Sequence, residues 1–238
     1  MTRRRETLLA VATALAAALA IASAPWALDQ PALNWVFKPL ATLAIIALAW
    51  GRGDGSGPAQ GLSRRWILAG LAASLCGDVA LMFPGGFIAG LLSFLLAHLA
   101  YLWAFTRVRR LAALAWPFAA YALVAGAILA GLWPGVPAPL RAPVLAYVVC
   151  LAAMAAQAAV LWRSGLARGG RLALGGALFV ASDALLATNK FAGPLPLSSL
   201  WILASYWSAQ WLIAAALPPS VSGSGPECAP RQGPPRKP

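Results

Sequence analysis

Trp66-Ile67-Leu68-Ala69-Gly70-Leu71-Ala72-Ala73-Ser74-Leu75-Cys76-Gly77-Asp78-Val79-Ala80-Leu81-Met82-Phe83 is an apolar run whose single charge is Asp78. Its length approaches the roughly 20 residues that cross the hydrocarbon core of a bilayer as a helix. A carboxylate there costs roughly 2.5 to 3.5 kcal/mol on insertion scales, so the position needs a compensating use. A second run, residues 171 to 189, holds Asp183 in the same way, whereas Glu6, Asp29, Asp54 and Glu227 stand at segment ends or outside the apolar runs. Two acids buried in apolar helices are read as the working pair of an integral membrane enzyme.

Working outward, the whole chain of 238 residues is 61% hydrophobic and 10% charged, with a mean hydropathy of +0.75. That composition leaves too little polar surface to cover a soluble core and places the chain among polytopic helical membrane proteins. The net charge of +12 suggests nucleic acid only if a folded soluble domain carries a basic face, and none is visible, so no nucleic-acid partner is expected.

Eight spans are predicted, at about 6 to 24, 33 to 50, 66 to 83, 86 to 105, 111 to 132, 141 to 162, 171 to 189 and 199 to 217. Alternating the connections between two sides puts 15 of the 18 Lys and Arg on one side and leaves Lys38, Arg141 and Lys190 on the other. The positive-inside rule then sets both termini in the cytoplasm and the protein in the cell (inner) membrane. Residues 1 to 217 form one eight-helix transmembrane domain. Residues 218 to 238, rich in Pro, Gly and Ser, are expected to be a disordered cytoplasmic tail. Arg3 to Arg5, an apolar run and Ala22-Ser23-Ala24 also resemble a cleavable signal, but the long run and Pro25 favour an uncleaved first helix.

Cys76, Cys150 and Cys228 have no paired spacing, and His98 is the only histidine, so neither a disulfide, a metal site nor a cofactor is expected. No phosphate-binding glycine loop or nucleophile elbow is present. The remaining polar residues of the spans therefore carry the chemistry. Asp78 and Asp183 each lie about 18 Å along their helices from the basic side at 1.5 Å per residue, hence at one level. Lys38 enters from the other side near that level, and Lys190 lies one or two turns beyond Asp183. Asn34, His98, Tyr101, Asn189, Tyr206 and Gln210 complete the candidate set. His98 and Tyr101 share one helical face and Tyr206 and Gln210 another. Each has an ordinary alternative: tyrosines anchor at membrane interfaces, lysines snorkel, and a buried histidine can be structural. Gly70, Ala73 and Gly77, like Gly175 and Gly176, allow close helix approach.

A repeat at an offset of 105 relates Gly70, Ala72, Asp78, Leu81 and Tyr101 to Gly175, Ala177, Asp183, Leu186 and Tyr206. It would make the bundle a four-plus-four parallel duplication.

Three stretches carry a family resemblance. Ser74-Leu75-Cys76-Gly77-Asp78-Val79-Ala80-Leu81, with Gly90, Ser93-Phe94 and Ala97-His98-Leu99-Ala100-Tyr101, forms the first. Ser182-Asp183-Ala184-Leu185-Leu186-Ala187, with Asn189-Lys190-Phe191, Tyr206-Trp207 and Gln210, forms the second, and Lys38-Pro39-Leu40 the third. Together they resemble the YhhN-like lysoplasmalogenase family across essentially the whole helical region. The resemblance implies an eight-helix membrane hydrolase that cleaves the vinyl ether of a lysophospholipid, the lysoplasmalogen, to a fatty aldehyde and a glycerophospho head group.

Vinyl ether hydrolysis needs an acid to protonate carbon and an anion to activate water and stabilise an oxocarbenium-like cation, roles that two carboxylates in different surroundings can divide. Asp78 and Asp183 are the expected catalytic pair. Lys38, Lys190 and Asn34 are the candidates for the lipid phosphate, and Asn189, His98, Tyr101, Tyr206 and Gln210 for substrate, water or carboxylate positioning. A proton-coupled transporter loading protons on the same aspartates is the competing reading; a non-catalytic scaffold would leave them without a task.

Overall fold

The computed structural model describes residues 3–54 and 61–220. Among these, eight α-helices and no strands occur: α1 (Arg3–Ala22), α2 (Pro31–Trp50), α3 (Arg64–Ala80), α4 (Phe87–Thr106), α5 (Ala115–Leu132), α6 (Arg141–Arg163), α7 (Gly169–Phe191) and α8 (Ser198–Ala215). All eight expected spans are helices. The largest departure is at α5, which starts at Ala115 rather than 111, after a turn in which Ala112 takes a positive φ of 54°. Of the tail expected from residue 218, positions 221–238 lie outside the described residues.

Six of the eight helices are long and apolar enough to cross a membrane. The other two are α3, with 17 residues, and α8, which carries Ser198, Ser199, Ser205, Tyr206, Ser208 and Gln210. These two hold polar residues of the candidate site and pack extensively on the apolar α4 and α7 respectively. The chain is a multi-pass membrane bundle, and its outer surface fits that setting. Leu8 and Leu15 on α1, Leu96 on α4, Leu123 on α5 (75% exposed) and Val149 on α6 all point away from the core. In hydrocarbon such exposure carries no penalty, and association rests on close packing. Gly70 and Gly77 show that packing: a Cβ on Gly70 would run into the Tyr101 ring, and one on Gly77 into the Phe94 ring.

The arginine-rich end is tied together by polar contacts. Arg52 pairs with Glu6, Arg64 donates to the Arg52 carbonyl, and Arg168 and Arg171 donate to the Leu217 and Ala215 carbonyls at the end of α8. These bonds satisfy carbonyls that a helix C-terminus leaves without partners.

The helix neighbours follow the four-plus-four pattern. α2 packs on α1, α3 and α8, while α6 packs on α5, α7 and α4, and the pairs α3·α4 and α7·α8 correspond. Smaller contacts break it: α5 touches α7 and α3 touches α8 without counterparts of similar extent. α1 rests against α8, but its counterpart α5 shares no extended interface with α4, and α5 buries only Pro117.

Candidate active site

Asp78 sits near the C-terminus of α3, only 2% exposed. Thr42 of α2 donates a hydrogen bond of 2.7 Å to its Oδ2, and Tyr206 of α8 donates another of 2.8 Å to the same oxygen. Lys38 Nζ stands 3.9 Å from Oδ1, one helical turn before Thr42 and beside Pro39, which withdraws one rung from the α2 hydrogen-bond ladder. Behind this shell, Trp207 Nε1 donates to Thr42 Oγ1 at 3.2 Å. Gln210 Nε2 donates to the Tyr206 hydroxyl at 3.3 Å, and the Tyr101 hydroxyl donates to Gln210 Oε1 at 2.6 Å. A buried carboxylate needs such donors, because isolated ionic groups are strongly penalised away from water.

Asp183, on α7, receives one hydrogen bond, 2.5 Å from the Tyr147 hydroxyl of α6. The Tyr147 ring lies edge-on to His98, which also packs edge-on to Phe179 at 4.6 Å. His98 is fully buried, and neither ring nitrogen has a hydrogen-bond partner among the described residues.

Both aspartates line one cavity of about 480 Å³. Lys38, Asn34, Tyr206, Asn189 and Lys190 line it too, together with Pro84 and Gly85 of the α3–α4 turn and Ser198 and Ser199 at the start of α8. This is the end of the bundle opposite the arginines. Asn189 also accepts the Leu195 amide at 2.9 Å, which fixes the α7–α8 loop. The Lys190 ammonium lies 5.2 Å from the centre of the Phe87 ring.

Seven of the ten expected site residues thus meet at this cavity. Tyr101, Gln210 and His98 do not line it. Tyr101 packs over Gly70, two helical turns toward the arginine-rich end from Asp78, about 12 Å. It reaches the carboxylate only through Gln210 and Tyr206. Thr42 and Tyr147 escaped the sequence reading, although a signal existed: the same offset of 105 that relates the aspartates carries Thr42 onto Tyr147. Among the described residues no three His, Cys, Asp or Glu side chains gather as metal ligands do.

The sequence pattern of the YhhN family matches residues 33–217, a stretch that holds every residue of this cavity. The chain belongs to the YhhN family. Among similar proteins, Lysoplasmalogenase TMEM86B of Sus scrofa is 37% identical over 190 residues, covering 79% of this chain and 77% of the relative. Lysoplasmalogenase TMEM86B of Homo sapiens is 34% identical, with 78% and 77% covered. The Lysoplasmalogenase of Mycobacterium tuberculosis is 31% identical, with 79% and 70% covered. No solved structure matches the chain.

Proposed function

We propose that this YhhN-family protein is a membrane hydrolase that cleaves the vinyl ether of lysoplasmalogens, with Asp78 and Asp183 as its catalytic carboxyls. The observation that carries the reading is the shared cavity, which joins two carboxyls from α3 and α7 to the ammonium groups of Lys38 and Lys190 at one end of an apolar bundle. The relatives named lysoplasmalogenase support the substrate class.

In this mechanism one carboxyl delivers its proton to the vinyl carbon remote from the ether oxygen, leaving an oxocarbenium ion. Water adds to the cationic carbon while the other carboxylate takes its proton. The hemiacetal then breaks its carbon–oxygen bond to the glycerol: the second carboxyl returns a proton to the departing oxygen, and the hemiacetal hydroxyl proton passes to the first. The products are a fatty aldehyde and the glycerophospho head group, and both carboxyls are reset. Lys38, Lys190 and Asn34 hold the phosphate, and Asn189 shapes the cavity. Tyr206 orients Asp78 directly, Gln210 and Tyr101 brace Tyr206, and His98 braces Tyr147.

The arginine-rich end faces the cytoplasm of the cell membrane, as the positive-inside rule requires, so the cavity opens on the outer side. Residues 1–217 act as one transmembrane domain and the remainder as a cytoplasmic tail. The transporter reading has less support: α7 runs unbroken for two turns past Asp183, whereas transporter sites favour interrupted helices.

The test is purified protein in detergent, supplied with lysoplasmalogen and no ion gradient. Aldehyde release is expected, and Asp78→Asn and Asp183→Asn should each lower it by about 10²- to 10⁴-fold, the usual contribution of a proton-transferring group. Near-normal turnover in either variant removes that residue from the mechanism.

A further inference from the structure

A second cavity, of about 90 Å³, lies among α4, α5, α6 and α7. A water molecule needs roughly 10 to 15 Å³ on such a measure, so this is a slot several atoms long. Its walls are almost wholly apolar: Leu91 of α4, Ile128 and Leu129 of α5, Leu151 and Ala152 of α6 and Val180 of α7. Polar cavity and apolar slot adjoin, because Leu81, Phe87, Phe94, Leu186 and Asp183 border both. Asp78 borders only the polar one.

We propose that the slot receives the alk-1-enyl chain of the substrate, and that this places the vinyl carbons on Asp183 and the head group on the Asp78 side. A lysoplasmalogen has the same division as the site, with a charged head, an apolar chain and the scissile bond where they join. Seated with its phosphate at Lys38 and Lys190, the lipid brings that junction to the residue shared by the two cavities. The carbon that accepts the proton lies on the chain side of the ether oxygen, so Asp183 delivers the proton. Asp78, with an ammonium and two hydroxyl donors around it, serves as the anion that takes the proton from water. Along α6 the slot runs from Val144 to Ala152, about 12 Å of helix rise, so side chains near Ala152 and Ala125 set the longest chain that fits. The interrupted packing between α4 and α5 gives the chain a sideways entrance from the bilayer.

This inference rests on the proposed hydrolysis, and its test separates the two. A non-hydrolysable 1-O-alkyl lysophosphatidylcholine with a photoreactive diazirine at the chain end is irradiated with the full-length protein and the adducts are mapped. Labelling on α5 and α6 around Ala125 and Ala152 is expected; labelling on α1 and α8, along the apolar groove lined by Ala14 and Ala204, or spread evenly over the lipid-facing surface, overturns the proposal. In parallel, Ala152→Phe should lower the long-chain to short-chain ratio of kcat/KM at least tenfold. Ala125→Trp, on the loosely packed α5, should act in the same direction, whereas Ala204→Phe should leave the ratio within twofold of the parent. An unchanged ratio in the two slot variants, or a shift caused by Ala204→Phe instead, refutes the assignment. If the parent protein releases no aldehyde, the hydrolase reading fails, while the labelling still reports where the chain lies.

Discussion

The halves built around Asp78 and Asp183 start from one plan and end in different surroundings. In each, a hydroxyl 36 positions upstream, Thr42 or Tyr147, donates to the aspartate's Oδ2 from the corresponding helix, α2 or α6. The first site adds Lys38 and, reaching across from α8 of the other half, Tyr206 and Gln210 braced by Tyr101, around a nearly inaccessible carboxyl. The second adds none of these and instead opens Asp183 to an apolar slot. The two carboxyls line one cavity, and the difference between their neighbours is what the proposed division into an acid and a base requires.

The contrast breaks most severely where charge is removed from the first half. Lys38→Met leaves Asp78 buried without its cation, and unfolding measured in detergent should show a loss of about 3 to 5 kcal/mol, the usual cost of deleting one partner of a buried pair. An unchanged midpoint would mean that the lysine contributes nothing at 3.9 Å. Next in size, Tyr206→Phe removes a hydrogen bond to a charged group, worth about 1.5 to 3 kcal/mol, and should lower kcat more than it raises KM. Tyr147→Phe is the matching change at Asp183. Its stability loss should be smaller, about 1 kcal/mol, as for a neutral hydrogen bond. Equal losses in the two variants would erase the distinction between the aspartates. The mildest effect is expected from Lys190→Gln, which leaves unfolding unchanged and raises KM a few-fold at low salt; a salt-independent KM would exclude a phosphate contact.

Much of the frame was legible beforehand. Apolar length located all eight helices, and the 1.5 Å rise grouped Asp78, Asp183 and Lys38, which line one cavity, without any knowledge of packing. Less accessible was which neighbour each helix face meets. His98 and Tyr101 do share a face of α4, but that face meets Tyr147, Phe179 and Gly70 rather than the cavity. Tyr147 looked like an ordinary aromatic in an apolar helix, and Thr42 like one more small residue of α2. Only the internal offset could have promoted them. The slot itself was illegible, since it arises from a contact that α4 and α5 fail to make, and no local pattern encodes a missing interface.

That missing interface bears on what becomes of the products. In the proposed hydrolysis the glycerophospho fragment is left beside Ser198, Ser199 and Lys190, from which it departs into water. With the chain seated as proposed, the aldehyde of that reaction inherits the slot and leaves between α4 and α5, so a reactive carbonyl compound is discharged laterally into the leaflet. Whatever oxidises or reduces it next must collect it from within the membrane plane.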